Sequence, residues 1–144
     1  MTISSLYVIN ELEMHKSYEN RLGHKADFRV KYKFRSPEEG GRTTGEPFQG
    51  IRSDFSFEGK EENNIYMIWP EFEDTNGNVL LYNDRPVPNS GIARMWIINN
   101  EMRPHHYDKI KIGIKGYFRE GATYSADCEV IEILDIKINP IKHK

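Results

Sequence analysis

The sequence lacks several features that would assign it to a class at once. It has a single cysteine, Cys128, which excludes an intramolecular disulfide and fits a reducing compartment. No apolar run approaches the ~20 residues that a membrane-spanning helix needs. The first residues have neither the basic nor the apolar region of a signal peptide. We therefore predict a cytoplasmic protein with no membrane partner.

Basic charge and nucleotide-binding motifs are also scarce. The formal net charge is -2, which argues against a strongly basic nucleic-acid-binding protein but leaves a local basic patch open. The pattern G-x-x-x-x-G-K-[ST] does not occur, so no phosphate-binding loop for GTP is predicted. A length of 144 residues corresponds to about one domain, with an independent core.

What the sequence does contain is alternation. Between positions 28 and 35, every second residue is aromatic or aliphatic, and the residues between them are basic. A period of two predicts a half-buried antiparallel strand. Its apolar face would consist of Phe28, Val30, Tyr32 and Phe34. A loop rich in glycine and proline follows at 36–50, and a second strand is predicted at 51–58.

Further short strands are predicted along the rest of the chain. They cover 65–69, 79–82, 92–98, 109–115 and 123–138. The first of them is expected to break or bulge at Pro70 and either ends there or continues to Glu73. Asn76-Gly77 predicts a type I′ hairpin turn, 116–121 a turn, and the slip in apolar phase at Val130-Ile131 a β-bulge. Near the N-terminus a strand at 6–9 and a helical turn at 10–18 are the candidates. The pattern predicts an all-β sandwich or barrel.

One stretch carries a resemblance. The residues that carry it are the loop Ser36-Pro37-Glu38-Glu39-Gly40-Gly41-Arg42 and the following Phe48-Gln49-Gly50-Ile51-Arg52. This strand–loop–strand segment of the chain resembles the corresponding sequence in the third domain of elongation factor Tu. Phe118-Arg119-Glu120-Gly121-Ala122-Thr123 is similar to a later segment of that domain. The resemblance covers roughly residues 25–134. It implies an all-β fold, a six-stranded antiparallel β-barrel like that C-terminal domain, with a short N-terminal extension. The predicted organisation is a single domain over 1–144, with an extension at 1–24, the barrel at 25–138 and a tail at 139–144.

The chain also departs from that family. The GTPase domain and the second barrel of the factor are missing, and Ala122 stands where the family has a second glycine. In the factor this barrel helps to hold aminoacyl-tRNA. The residues here that match the segment involved are Arg119, Glu120 and Gly121. The resemblance therefore implies the barrel, but no GTPase activity.

The basic face of the first strand is the main candidate for a binding surface. It consists of Arg29, Lys31, Lys33 and Arg35, and Arg42 follows in the loop. Such a stripe is typical of surfaces that bind phosphates or an acidic protein. It is also typical of a solvated strand face on which cations oppose edge-to-edge pairing. Both interpretations stay open. Trp69, Trp96, Tyr66 and Tyr82 are either contact anchors or core residues.

No catalytic residue, metal ligand or cofactor is predicted. His105 and His106 would point to opposite faces of an extended chain, so one metal ion could not take both. Cys128 falls on the apolar phase of a strand and is expected in the core. The pairs Glu38-Glu39 and Glu61-Glu62 are expected to be solvated loop charges. Residues 74–78 fit a hairpin turn better than a calcium-binding loop.

Three functional hypotheses follow. The first is a non-catalytic, stand-alone β-barrel that binds another protein, with a toxin-neutralising immunity protein as its specific form. The second is a tRNA-binding or other translation-associated protein, in which Arg119 and Gly121 act together with the basic stripe. The third is an enzyme with a cleft between the loops 74–91 and 99–107, using Asp84, Arg85, His105 and His106. We favour the first hypothesis and expect no enzymatic activity.

Overall fold

The computed structural model describes residues 14–139. Within that range the chain forms six strands: β1 (Phe28–Phe34), β2 (Asp54–Phe57), β3 (Ile68–Phe72), β4 (Ser90–Ile97), β5 (Lys115–Glu120) and β6 (Thr123–Ile133). The helices are short: α1 (Tyr18–Leu22), α2 (Arg103–Tyr107) and the 3-10 turns Pro37–Glu39 and Asn100–Met102. The predicted all-β class is confirmed.

The six strands form one antiparallel sheet in the order β2-β5-β6-β1-β4-β3. The sheet curls into a half-barrel. Its two edges meet at a single bridge, in which Phe55 N donates to Tyr66 O at 3.0 Å and Tyr66 N to Phe55 O at 2.8 Å. β1 lies in the interior of the sheet, with β6 on one side and β4 on the other.

The core occupies the concave side of the sheet. The four alternating apolar residues of β1 are all buried there, as predicted. They pack with Phe55, Phe72 and Phe118, and the Tyr32 and Phe72 rings meet edge to face at 5.1 Å. Burying a large apolar side chain contributes about 1.5–3 kcal/mol, so this aromatic cluster stabilises the fold strongly.

A second apolar cluster lies on the opposite side of the sheet, under α1. Tyr18 of α1 packs edge to face on Trp96 at 5.9 Å, with Ala26 beside them. Ser17 caps α1 by accepting from the Asn20 backbone N–H at 3.2 Å. Of the helical turn predicted at 10–18, residues 14–17 are not helical and α1 begins at Tyr18, whereas 10–13 lie outside the described residues. The strand predicted at 6–9 lies outside the described residues.

β3 runs through Pro70, where the predicted strand 65–69 was expected to break or bulge. Proline is tolerated in an edge strand, which has one side without a partner strand. Along that side the Gln49 side chain takes the place of a strand. Its amide donates to Phe72 O at 2.9 Å and Leu80 O at 2.8 Å, and its carbonyl accepts from Phe72 N at 2.9 Å.

The hairpin after β3 differs from the prediction. Residues 79–82 form only an isolated bridge between Val79 and Glu73, where a full strand was predicted. Gly77 has φ 86°, but in the described chain no residue other than glycine has a positive φ, so the predicted type I′ turn is wrong. Instead the Asp74 carboxylate accepts from the N–H groups of Asn76 and Asn78, at 2.8 and 3.0 Å, and closes the turn.

The strand predicted at 109–115 is also wrong. Those residues form turns up to β5, which begins at Lys115 and covers most of the turn predicted at 116–121. Gly113 adopts φ 94°, a conformation that favours glycine and interrupts the alternation. β5 includes Gly116. Only glycine fits at this position, because a Cβ there would stand 2.4 Å from the Phe55 ring.

β6 contains the predicted bulge. Its pairing with β1 shifts between Arg29 and Val30, which face Glu132 and Val130, so that Ile131 is the extra residue. β6 ends at Ile133, before the predicted end at 138, and β2 is shorter than the predicted strand 51–58.

Candidate binding face of the sheet

The predicted basic stripe lies on the convex side of the sheet. Arg29, Lys31, Lys33 and Arg35 alternate with the buried residues of β1. The neighbouring strand β6 carries carboxylates on the same side, and the register sets them directly opposite the cations: Glu132 faces Arg29, Glu129 faces Lys31, and Asp127 faces Lys33. We call these two rows the charge ladder.

Arg29 is bound on both sides within the ladder. Its guanidinium reaches Glu73 at 2.6 Å and Glu132 at 2.6 Å, and Arg94 approaches the same Glu73 at 3.0 Å. Glu73 is buried. Its hydrogen bond to Arg29 is the main reason that the pKa of the guanidinium is raised. Arg29 therefore joins β1 to the neighbouring β6 and to the residue that follows β3, and stabilises the sheet.

Arg35 is also bound. It makes two hydrogen bonds to Asp127, at 2.7 and 3.2 Å, which raise the pKa of Arg35. Its guanidinium lies over the rings of Tyr117 and Tyr124 at 5.6 and 5.3 Å. Planar bidentate pairing of this kind restricts the side chain to one orientation.

The two lysines of β1 are held less firmly. Lys31 lies 3.5 Å from Glu129, with most of its side chain exposed, and such a pair contributes roughly 0–1 kcal/mol. Lys33 forms no ion pair within residues 14–139. Lys31 and Lys33 are therefore the members of the ladder that keep their positive charge exposed.

A groove of about 460 Å³ crosses the sheet at these lysines. Its polar lining consists of Lys31, Lys33, Ser90, Lys115, Asp127 and Glu129. Beneath it runs the cross-strand row Gly91, Tyr32, Cys128 and Gly116, whose two non-glycine side chains are buried. All positions of this row face the core, where a Cβ at Gly91 would meet the Tyr32 ring and one at Gly116 the Phe55 ring, so no side chain of the row fills the groove. Sequence reasoning missed Lys115, and its position opposite Glu129 depends on a strand pairing that the local pattern does not show.

Arg42 and Gly121 lie at the hairpin between β5 and β6. Arg42 donates to Glu120 at 2.7 Å and to Gly45 O at 2.9 Å, and so fixes the loop 36–50 to that hairpin. Gly121 has φ 61° and is the first of the two residues that connect β5 to β6. Its role there is to shape a two-residue turn.

Arg119 is not a surface residue. Its side chain is buried, and Nη1 donates to Ser56 Oγ at 3.1 Å and to Glu62 O at 2.8 Å. The guanidinium also lies 4.0 Å from the centre of the Tyr124 ring. The prediction that Arg119 takes part in a macromolecular surface is corrected, because these contacts use it inside the fold.

The histidine pair lies on α2, so the expectation of an extended segment is wrong. His105 Nε2 is 3.2 Å from the Tyr66 hydroxyl, whereas His106 is buried against Phe57 and Tyr66. Burial lowers the pKa of His106 to about 4. No group of three histidine, cysteine or acidic residues within 14–139 is arranged to hold a metal ion.

The other residues of the enzyme hypothesis have separate contacts. Asp84 and Arg85 are exposed and pair with each other at 3.5 Å, and Arg85 covers Tyr82 at 4.3 Å. Within residues 14–139 no hydrogen bond or ion pair joins Asp84 or Arg85 to the histidines of α2. Cys128 is buried, and burial raises the pKa of its thiol.

Of the four aromatic candidates, Trp96 belongs to the cluster under α1, while Tyr66 and Tyr82 pack partly buried against the core. Trp69 is half-buried, with its indole N–H donating to Asp54 at 3.2 Å and Arg52 over its ring.

A buried polar network that the sequence did not reveal joins the start of β1 to α2 and to the last described residue. The carboxylate of Asp27 accepts from Arg103, from the Ile97 backbone N–H at 2.7 Å and from Asn139. Arg103 also donates to Ile97 O at 3.1 Å. Asp27 and Arg103 are both completely buried, so this network is part of the structural framework and does not face a ligand.

Neither helix in the described range is long and apolar enough to cross a bilayer. The chain matches no protein-family model, and no curated protein compared with it gives a match. The resemblance to the third domain of elongation factor Tu stays a prediction.

Proposed function

We propose that this protein is a non-catalytic binding module that acts through protein–protein contacts, and that the convex face formed by β4, β1, β6 and β5 is its contact surface. The charge ladder is the observation that carries this proposal. It places a row of cations beside a row of carboxylates in fixed register. A surface with alternating signs suits a partner that carries its own pattern of charges, and such complementarity gives fast and specific association.

The same observation disfavours the RNA-binding alternative. Arg29, Arg35 and Arg42 are already bonded to carboxylates, so little of their charge is free for phosphates. A nucleic-acid backbone is uniformly negative, and the acidic row on β6 would repel it. Arg119, the residue carried over from the tRNA-binding segment, is buried.

Two finer statements belong to the same proposal. The half-barrel is proposed to be of the elongation factor Tu third-domain type, since six antiparallel strands and a structured loop between β1 and β2 suit it. The biological role is proposed to be toxin neutralisation by an immunity protein in the cytoplasm, because neutralisation needs the rapid, specific association that charge complementarity provides.

Affinity capture from a lysate of the source cells tests the proposal. The wild type is compared with Lys33→Glu/Lys115→Glu and with a matched control, Lys60→Glu/Lys137→Glu, which changes the net charge equally at exposed sites. We expect the wild type and the control to retain one protein that the groove variant captures at least about 10-fold less, with no effect of ribonuclease. Capture that is equal for all three chains, or that disappears with ribonuclease, would contradict the proposal.

A further inference from the structure

We propose that the groove between Lys33 and Lys115 binds an extended, acidic segment of the partner protein. This inference rests on the proposed function and names the chemistry that the contact surface recognises. It starts from the two lysines that stand on opposite walls of the groove and form no ion pair within residues 14–139.

The shape of the groove suits a short stretch of chain. One wall is the cross-strand row that contains Lys31, Glu129 and Lys115, and the other contains Ser90, Lys33 and Asp127. The groove therefore spans β4, β1, β6 and β5. With strands about 4.8 Å apart this is roughly 14 Å, the length of about four residues of extended chain.

The charge of the groove differs from that of the whole chain, which is -2. Among its lining residues Asp127 is neutralised by Arg35, and Glu129 lies beside Lys31 at 3.5 Å. Lys33 and Lys115 therefore supply the uncompensated positive charge. A carboxylate-rich ligand complements them, whereas a basic or purely apolar segment does not.

The spacing of the charges favours a peptide over a polyphosphate. Lys33 and Lys115 are two strands and two residues apart in the register, which corresponds to about 12 Å between their Cα atoms. Because lysine side chains are long and flexible, carboxylates two to four residues apart in an extended peptide reach both. Neutral residues between those carboxylates would lie against Asp127 and Glu129, where a phosphodiester chain would place further negative charge.

A synthetic peptide of alternating Glu and Ser, eight residues long and fluorescently labelled, serves as the probe. Its binding is measured by fluorescence anisotropy at low salt, beside a Gln-Ser peptide of equal length and a single-stranded oligo(U). We expect the Glu-Ser peptide to bind the wild type at least about 10-fold more tightly than it binds the variant Lys33→Gln/Lys115→Gln. The control variant Lys60→Gln/Lys137→Gln should stay within about twofold of the wild type. Backbone amide NMR shifts should centre on Lys33 and Lys115.

Equal affinity of the two double variants, shifts centred elsewhere, no binding of the Glu-Ser peptide, or tighter binding of oligo(U) would overturn this inference. The capture experiment separates its failure from that of the proposed function. One outcome is that Lys33→Glu/Lys115→Glu loses the captured protein while the wild type does not bind the Glu-Ser peptide. In that case the surface contacts a protein through a different chemistry. If no protein depends on the groove in the capture experiment, the proposed function itself is wrong.

Discussion

At the residue scale, the buried pair of Asp27 and Arg103 is the most consequential feature. Removing two charges from water is costly, and the cost is offset only when hydrogen bonds satisfy both groups. Here the carboxylate accepts from Arg103, the Ile97 N–H and Asn139, and the guanidinium also donates to Asn100 at 2.8 Å. The pair fixes α2 and the last described residue to the start of β1.

Arg103→Met should therefore destabilise the protein by about 3–5 kcal/mol, because Asp27 is left buried without its counter-charge. Urea unfolding followed by circular dichroism measures the change. Arg85→Met, at an exposed arginine, is the control and should alter the unfolding free energy by less than about 0.5 kcal/mol. A loss below about 1 kcal/mol for Arg103→Met would show that water reaches the pair.

His106 should make stability depend on pH. Its pKa is lowered to about 4 by burial, below the ordinary value of 6.5, so the unfolded state binds the proton more readily. The stabilisation is complete above pH 6.5 and is lost as the pH falls towards 4, by at most about 3 kcal/mol. His106→Leu should lose less stability over that interval, measured by urea unfolding at each pH. Parallel curves for the two chains would contradict the assignment.

Burial was predictable for some residues and not for others. The alternation of β1 correctly identifies its four buried apolar residues. The burial of Arg103 and Arg119 could not be predicted, because charged residues are rarely buried without a partner and their partners lie 76 and 63 positions away in the sequence. Trp69 and Trp96 pair across β3 and β4, yet only Trp96 is fully buried, because α1 covers it.

At the scale of elements, alternation predicts strands well where the local pattern also determines the packing. It identifies β1, most of β4 and the bulge in β6. It fails at 109–115, where the alternation is regular but the chain forms turns. The reason is that β5 begins where Gly116 allows Phe55 of β2 to approach the backbone, and this contact is not visible in the sequence of either segment alone.

At the edge of β3, the Gln49 side chain makes hydrogen bonds to the backbone that a neighbouring strand would otherwise make. Gln49→Leu removes the three hydrogen bonds to Phe72 and Leu80 and leaves buried backbone groups without partners. We expect a loss of about 2–4 kcal/mol in the free energy of unfolding. Hydrogen exchange of the Phe72 amide should accelerate by at least about 10-fold. Glu46→Ala, an exposed change in the same loop, should affect neither quantity; slow exchange at Phe72 in Gln49→Leu would refute the role of Gln49.

At the scale of the whole molecule, the strand order β2-β5-β6-β1-β4-β3 is not readable from the alternation of any strand. It depends on pairings between distant segments. The expected six antiparallel strands are present. The two edges of the half-barrel are joined by an isolated bridge between Phe55 and Tyr66.

Hydrogen exchange tests how firmly the two edges are joined. Amides of β1 have a strand on each side and should exchange only on global unfolding. The amides of Phe55 and Tyr66 should exchange at least about 10-fold faster than those of Val30 and Tyr32, since a single bridge opens locally. Equal protection at all four sites would show a sheet that is closed as firmly at its edges as at its centre.

The candidate binding face was only partly predictable. The four cations of β1 are evident from their spacing. The carboxylates that neutralise two of them come from β6, about a hundred residues further on. Lys115 was missed because the strand that carries it was placed six residues too early. The groove is thus a property of the assembled sheet, whereas the stripe is a property of one segment.

The most direct test of the central claim is photo-crosslinking at the groove. Benzoylphenylalanine is introduced in place of Ser90, which lines the groove, and in place of Lys60, which lies outside it. After irradiation in the source cells, mass spectrometry identifies the products. We expect one protein to be crosslinked from position 90, through an acidic segment, and not from position 60. RNA crosslinked from position 90, or the same proteins from both positions, would contradict it.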